Sequence, residues 1–379
     1  MDEGKYTSLV AALAGVDDPR QARGRRYPWE LLWTLIAAAL VSGERHGHGI
    51  GQWVQEHRDE LRNGLRCAHL PSESTLRRAV RAVDPVAVEQ HLRQWVDQAQ
   101  RTDAIDEIQG YAVDGKEVRG SRAHGRVDHL LSLVRHDGVV LHQMGVERKT
   151  NEITAAPQLL AGRGLHGMVL TVDALLTQRA LAQQISAGGG HYLMVVKGNQ
   201  PALEQAIAAW FAGARPAMTA GREADRSIRT QEKGHGRIET RTLEASCALH
   251  GWLTWPGHQQ VLKRTCRRVD LRTGAVQEQV TYAVTSLSPD QASPARLERL
   301  WRGHWGIENK VHYIRDVTFG EDAGQAHTGA TAQVLAALRN ALMNLLRAHG
   351  WHRIADALRH FGANVARALS LVGGPPCRL

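Results

Sequence analysis

Lysine is scarce in this chain: of its 47 basic residues 7 are Lys and 40 are Arg. Cysteine is scarcer still. Cys67, Cys247, Cys266 and Cys377 lie far apart, with no C-x-x-C pair and no Cys/His ligand spacing. That excludes a zinc ribbon and a disulfide framework. Long apolar runs are missing too. The longest, Leu31 to Val41, falls well short of the ~20 residues that span a bilayer. It sits behind an arginine-rich stretch without a small-residue cleavage site, so it does not read as a signal peptide. Neither G-x-x-x-x-G-K-[ST] nor G-x-G-x-x-G occurs, which leaves nucleotide-driven chemistry without local support. A cytoplasmic, basic protein is expected.

What is present is a globular composition, 43% apolar and 22% charged over 379 residues, with a formal charge of +9. At roughly 150 residues per domain this length suggests two or three domains. Codon usage in a GC-rich genome is enough to explain the arginine excess. Phosphate contact is the functional reading beside it, because a guanidinium forks onto phosphate oxygens. The two readings are compatible.

The first hundred residues read as helices. Pro28 opens a dense apolar stretch from Trp29 to Val41, and a second helix is expected from about Gly51 to Arg62. A third follows Ser72 or Ser74 as a cap, and a fourth starts near Asp84-Pro85. The third carries Arg77, Arg78 and Arg81, which suit either a groove-reading helix or the solvated face of an ordinary one. Upstream, Arg20, Arg23, Arg25 and Arg26 lie among Pro and Gly, as a backbone-contacting arm would.

Near residue 105 the period changes from 3.6 to strands. Gly110–Asp114 reads as a buried strand ending in an acid, and Leu130–Val134 with Val139–Val146 flank the hairpin signal His136-Asp137-Gly138. A helix near Ile153–Leu160, the strand Met168–Asp173, a helix near Thr177–Ser186 and the strand Tyr192–Val196 complete a mixed sheet with helices on it. Residues 205–294 read as a β-rich insertion with strands near Arg237–Leu243, Gln259–Val269 and Gln277–Ser286. Helices return near Ser293–Val311, Ala330–Leu346 and Ile354–Leu371.

Two of these strands end in Asp114 and Asp173. Aspartate after a strand is common turn chemistry. Yet two carboxylates at one sheet edge repel unless a proton or a divalent cation intervenes. A third element joins them. On an α-helix Trp301, His304, Glu308 and Arg315 fall within about 60° of one another.

Six linked motifs then carry a family resemblance: A-V-D-G-K-E-V-R-G-S (Ala112–Ser121), K-T-N-E-I-T-A-A-P (Lys149–Pro157), T-V-D-A (Thr171–Ala174), V-K-G-N-Q (Val196–Gln200), G-H-G-R-I-E-T-R (Gly234–Arg241), and H-W-G-I-E-N-K-V-H (His304–His312) with D-V-T-F-G-E-D-A (Asp316–Ala323). The chain resembles bacterial insertion-sequence transposases of the DDE superfamily, in the H-repeat-associated group. The N-terminal Asp18–Pro28 and P-S-E-S-T-L-R-R segments match that family's associated domain. The fold implied is α/β: an RNase-H-like mixed-sheet core, a β-rich insertion and an all-helical N-terminal domain. The segments expected are a helical DNA-binding part (1–104), the first part of the core (105–204), the insertion (205–294), the second part with the Glu-bearing helix (295–350) and a tail (351–379).

The resemblance places the catalytic, metal-binding triad on Asp114, Asp173 and Glu308, with Mg²⁺ as cofactor and Mn²⁺ as its substitute. The family's Y-x-x-R-x-x-x-E-x-x-x-x-x-x-K signature appears with Trp301, His304 and Arg315 at its Tyr, Arg and Lys positions. Glu321 and Asp322 compete with Glu308 for the third place. Such a set would hold two ions for in-line displacement at phosphorus, one at each of the attacking and leaving oxygens. Lys116, Lys197, Asn199 and Arg315 are candidate phosphate contacts. Double-stranded DNA, as terminal inverted repeats and target, is the implied partner, with a homodimer or larger assembly on the nucleoid. Two alternatives stand beside this: a transposase-derived DNA-binding protein, and a metal-dependent nuclease without strand transfer. A zinc site of His304, Glu308 and His312 is disfavoured, because three ligands so spread along one helix converge poorly on a tetrahedral ion.

Overall fold

Twelve of the thirteen residues of α2 (Trp29–Val41) are buried, and fifteen of the eighteen of α11 (Thr331–Ala348). Helices buried on nearly every side have no solvent face, so each must be enclosed by neighbours. The computed structural model describes residues 5–101, 108–123, 126–146, 152–213, 226–324 and 326–373. Lys149–Asn151, which open one motif, and Cys377 lie outside these. Contacts group the chain into two units that are each discontinuous in sequence. The first is Met1–Ala104, Gly115–Lys149 and Gly306–Leu379, and the second is Ile105–Asp114 with Thr150–Trp305.

In the first unit α2 is surrounded by α1 (Leu9–Ala14), α3 (Gly47–Glu56), α5 (Glu73–Ala82), α12 (Ile354–Gly362) and α13 (Val365–Val372). The single helix expected near Gly51–Arg62 is two, because the chain breaks at His57 before α4 (Arg58–Leu65). Ser72 takes the N-cap position of α5, but its hydroxyl turns to Ser74 (3.1 Å) and Thr75 (3.1 Å), not to a backbone amide. Asp84 caps α6 (Pro85–Gln100) as expected, accepting from Val86 N–H at 3.0 Å. Residues 354–372 are no tail: α13 lies on α2, and the Ser8 hydroxyl beside α1 donates to Gly373 O at 2.9 Å.

The far half of β1 (Gln109–Ala123), β2 (Arg126–Arg135) and β3 (Val140–Val146) belong to this unit, with α6 and α11 against β3. Here α6 buries a carboxylate. Glu89 accepts from Gln143 Nε2 of β3 (2.9 Å) and Gln333 Nε2 of α11 (3.0 Å).

In the second unit the near half of β1 pairs in parallel with β4 (Met168–Val172), and β4 with β5 (His191–Val196). All five residues of β4 are buried, as a strand covered on both faces requires. The β-rich stretch extends the same sheet. β9 (Val276–Thr285) pairs antiparallel with β5, followed by β8 (Gln260–Asp270), β7 (Arg237–Ser246) and β6 (Arg226–Gly234). Three helices, α8 (Arg179–Ala187), α9 (Pro201–Phe211) and α10 (Pro294–His304), pack on these strands, while α7 (Glu152–Leu160) packs on α8. Neither β6 nor α9 was expected. β6 is almost wholly polar and joins β7 through His235 (φ 49°) and Gly236 (φ 72°), two left-handed residues that fit a type I′ hairpin. This arrangement is the mixed α/β architecture expected of an RNase-H-like core.

Burial pushes the Glu89 carboxyl up from 4.5 to about 7, against the pull of the Gln143 and Gln333 amides. An acid whose folded value is raised contributes stability that is full below its unfolded value and lost as pH rises through the folded one. At about 1.4 kcal/mol per unit, the loss between pH 4.5 and 7 comes to about 3 kcal/mol. Urea denaturation of Glu89→Gln beside the wild type should therefore show a gap moving in the variant's favour from pH 5 to pH 8. A gap constant with pH would refute this account of Glu89.

Candidate active site

Strand register brings the two aspartates together. Tyr111, Ala112 and Val113 of β1 pair with Leu170, Thr171 and Val172 of β4, so Asp114 and Asp173 occupy the next position on neighbouring parallel strands. Strands so paired lie about 4.8 Å apart. Both aspartates are half-buried. Asp173 also does turn work, since its Oδ1 accepts from Leu176 N–H at 3.0 Å. The turn uses that one oxygen only.

The loop after Asp173 is held by the V-K-G-N-Q motif. The Thr177 hydroxyl donates to Asp173 O (2.9 Å) and Val195 O (2.5 Å). Gln200 Nε2 donates to Thr177 O at 3.1 Å, and Asn199 Nδ2 donates to Ala174 O. Asn199 thus braces the loop while staying exposed, which leaves its expected phosphate contact untouched. Lys197, exposed on the same loop, keeps that expectation.

His304, at the end of α10, lies against the strand that leads to Asp173. Its Nδ1 sits 3.2 Å from both Thr171 O and Thr171 Oγ1. Burial pushes its pKa below the usual imidazole range, and nearby Asp173 opposes this only in part. His304 is therefore a neutral group where the family signature has a cation. One turn earlier Trp301 is buried, with the Arg264 guanidinium 5.4 Å from its ring centre. Thr171, which couples the strand to His304, lies in the T-V-D-A motif, where only the aspartate stands out from sequence.

Beyond α10 the coil widens. Residues Glu308–His312 and Ile314–Thr318 form two π-helical segments in which Tyr313 N–H donates to Glu308 O and Phe319 N–H to Ile314 O. Buried positions recur every fourth residue, at Ile307, Val311, Arg315 and Phe319, while Asn309, Tyr313 and Val317 are exposed. Seven residues at about 100° bring an α-helix back to the same face. At about 90° they end a quarter-turn away, because i→i+5 bonding widens the turn. Hence Glu308 is exposed and Arg315 fully buried, and the expected common face does not form. Glu308 shares its stripe with His312, whose Nδ1 is 3.2 Å from Glu308 Oε2.

Burial overturns two further expectations in this first unit. Arg315 is no phosphate contact: its Nη2 and Nε hold the Glu321 carboxylate (2.6 and 3.1 Å) and its Nη1 donates to Gln143 Oε1 (3.3 Å). Arg339 Nη1 takes the other oxygen of Glu321 at 2.9 Å. Burial raises the Glu321 carboxyl, but the two guanidinium groups outweigh it and hold the pKa low. A carboxylate so enclosed has nothing left for an ion, which removes Glu321 as a rival to Glu308. Lys116 is likewise buried, its Nζ 2.5 Å from Asp316 Oδ1. Asp322 stands 3.9 Å from Arg119.

The N-terminal arginines divide in two. Arg77, Arg78 and Arg81 lie on the exposed face of α5, although Arg77 pairs with Glu73 (3.1 Å) and Arg78 Nε donates to Ser74 O (3.0 Å). Arg23 is exposed. Arg25, also exposed, donates to Arg20 O (3.0 Å) and Asp18 O (3.1 Å). Arg20 itself is spent on Asp18 and Tyr27 O, each at 2.8 Å.

Among the described residues no three His, Cys, Asp or Glu side chains are gathered to hold a metal ion. His304 turns to Thr171, and His312 to Glu308. No described helix is long and apolar enough to cross a membrane.

Comparison with known proteins agrees with this layout. A DDE_Tnp_1-associated family model matches residues 10–96, and a Transposase DDE domain model matches residues 77–345. The chain is 29% identical to "Putative transposase YncI" of Escherichia coli O157:H7 over 356 residues, 90% of this chain and 87% of that protein. It is 27% identical to "H repeat-associated putative transposase YhhI" of Escherichia coli K12, covering 89% of this chain and 90% of that one. A "protein in dhlA 3'region" of Xanthobacter autotrophicus is 31% identical over 67% of this chain and 86% of its own length. With the greater part of its length under one family model and its motifs in order, the chain belongs to the DDE-domain transposases, in the H-repeat-associated group.

Proposed function

We propose that the chain is a DNA transposase that cuts the ends of an insertion sequence and joins them to target DNA, using Asp114, Asp173 and Glu308. The observation that carries this reading is the register of β1 on β4, which sets two carboxylates side by side in a chain of this family. Carboxylates so close repel unless a cation lies between them, and oxygen ligands suit Mg²⁺, with Mn²⁺ as a substitute. Bound there, the metal supplies Lewis-acid polarisation of the phosphate and lowers the pKa of water. The protein's own groups do the rest. Asp114 and Asp173 hold their positions through the strands, and Thr177 with Asn199 fixes the loop behind Asp173. His304, neutral, adds no charge to repel a cation. Glu308, exposed, is available as the third ligand.

The end-binding role falls to residues 1–104, with Arg77, Arg78 and Arg81 of α5 reading bases and Arg23 on the backbone. At least two copies are needed to pair two ends.

Asp114→Asn, Asp173→Asn and Glu308→Gln should each abolish cleavage of an end-bearing duplex in Mg²⁺. The affinity for that duplex should stay within about twofold, because binding rests on many arginine–phosphate contacts. Normal cleavage by Glu308→Gln would move the third ligand elsewhere. A nuclease without strand transfer would cut but never join a 3′-hydroxyl end to a second duplex.

Base and phosphate contacts should separate in anisotropy measurements at several salt concentrations. Arg77→Ala or Arg78→Ala should cost ~1–3 kcal/mol on the cognate end and little on random duplex. Arg23→Ala should weaken both alike and lower the salt slope by about 1. Equal losses on both duplexes for all three variants would deny α5 a part in specificity.

A further inference from the structure

We infer that Lys116, Asp316, Arg315 and Glu321 are positioning residues that fasten the Glu308-bearing coil to the continuation of the Asp114 strand. The inference deepens the reading above and rests on it for the role of Glu308. Its physical basis lies wholly within the first unit.

Two motifs that the sequence shows far apart meet there. Lys116, two residues past Asp114 on β1, pairs through Nζ with Asp316 Oδ1 at 2.5 Å. Four residues further along the strand, Gly120 lies against the loop that follows the coil. A Cβ on Gly120 would stand 2.3 Å from both Glu321 O and Gly324 O, and Ala326 N–H donates to Gly120 O at 3.1 Å. No other residue type fits at Gly120 without moving that backbone. The A-V-D-G-K-E-V-R-G-S and D-V-T-F-G-E-D-A motifs therefore form one joint.

The joint sets the rotation of the coil. Asp316 lies on the same fourth-residue stripe as Glu308 and His312, so holding Asp316 fixes the direction of that stripe. Arg315, on the adjacent buried stripe, is clamped by Glu321, and Glu321 N–H donates back to Arg315 O at 2.9 Å. Gln143 of β3 and Arg339 of α11 close the cluster from both sides. A π-helical segment is a costly conformation that surrounding structure must impose. Here a buried ion cluster on one stripe and an ion pair on the next impose it. The ligand-like carboxylate is left exposed while its neighbours are locked, an arrangement that presents a side chain at fixed geometry.

The test uses the full chain with Lys116→Met, Lys116→Arg and the exchange Lys116→Asp with Asp316→Lys. Three quantities are read: the single-turnover cleavage rate at saturating protein, the affinity for the end duplex, and amide hydrogen exchange of peptides covering residues 308–318 in the DNA-free protein. Loss of an outer partner of a metal-binding side chain typically costs 10–100-fold. Lys116→Met should slow cleavage by about that factor and raise the Mg²⁺ concentration for half-maximal rate. It should also speed exchange across 308–318, with duplex affinity within about twofold of wild type. Lys116→Arg should recover much of the rate, and the exchanged pair part of it. Wild-type exchange in 308–318 for Lys116→Met overturns the fastening. Faster exchange with an unchanged rate and Mg²⁺ requirement overturns its role in positioning Glu308. If Glu308→Gln cleaves normally, the triad is wrong, and the exchange result still decides whether the coil is fastened.

Discussion

A carboxylate that stays ionised out of water needs opposite charge beside it, and Glu321 has it twice, from Arg315 and from Arg339. Much of the first unit can be traced from that requirement. Arg315 can reach Glu321 only if the coil is wide enough to turn it inward. Arg339 does so from the middle of the buried helix α11, and its Nη2 then finds the carbonyl of Arg45 beyond α2 at 2.6 Å. Gln143 extends the cluster to Glu89 on α6. Strand, coil and helices are thereby tied to one ion. Removing a single member of such a set leaves the others charged and dry, which is far more damaging than replacing all of them by apolar groups.

The acids weighed as ligands of an ion separate by environment. Glu321 is saturated by protein donors and cannot take another ligand. Asp114, Asp173 and Glu308 are half-buried or exposed. Asp173 spends one oxygen on its own turn, and Glu308 shares its stripe with a histidine. Accessible carboxylate oxygen is what the proposed divalent-ion chemistry requires. The exclusion of Glu321 from that chemistry and its value to the fold have the same cause.

Much of this was legible in the residues. The parallel strands are legible as short buried runs that lead to aspartate; β4 stops there, but β1 runs on past Asp114 to Ala123, which the polar residues after Asp114 hide. Val113 pairs with Val172 as the runs suggest, and the two acids follow in step. The helix faces failed where a regular period was assumed. Nothing in W-G-I-E-N-K-V-H-Y-I-R shows that the chain will hydrogen-bond at i→i+5, because the cause lies in Glu321, Arg339 and Lys116, distant in sequence or on other elements. Charge misled in the same way. A lysine two residues past Asp114 looks like a phosphate contact until Asp316 is found beside it. β6 is not legible in sequence because a polar strand has no alternating apolar signal. Its Gly-His-Gly turn was the one available clue.

The order of strands in the second unit also bears on how the chain is made. β5 pairs on one side with β4, a near neighbour, and on the other with β9: Val196 meets Tyr282, 86 residues later. At about 5–20 residues per second, a ribosome needs roughly 4–17 s to cover that interval. Throughout it the nascent sheet carries an open apolar edge on β5, of the kind that invites pairing with another chain. Residues after Gly306, Glu308 among them, emerge only once β9 is available to close that edge. Synthesis itself thus orders the events: the strand scaffold can be completed before the last of the three acidic side chains leaves the ribosome.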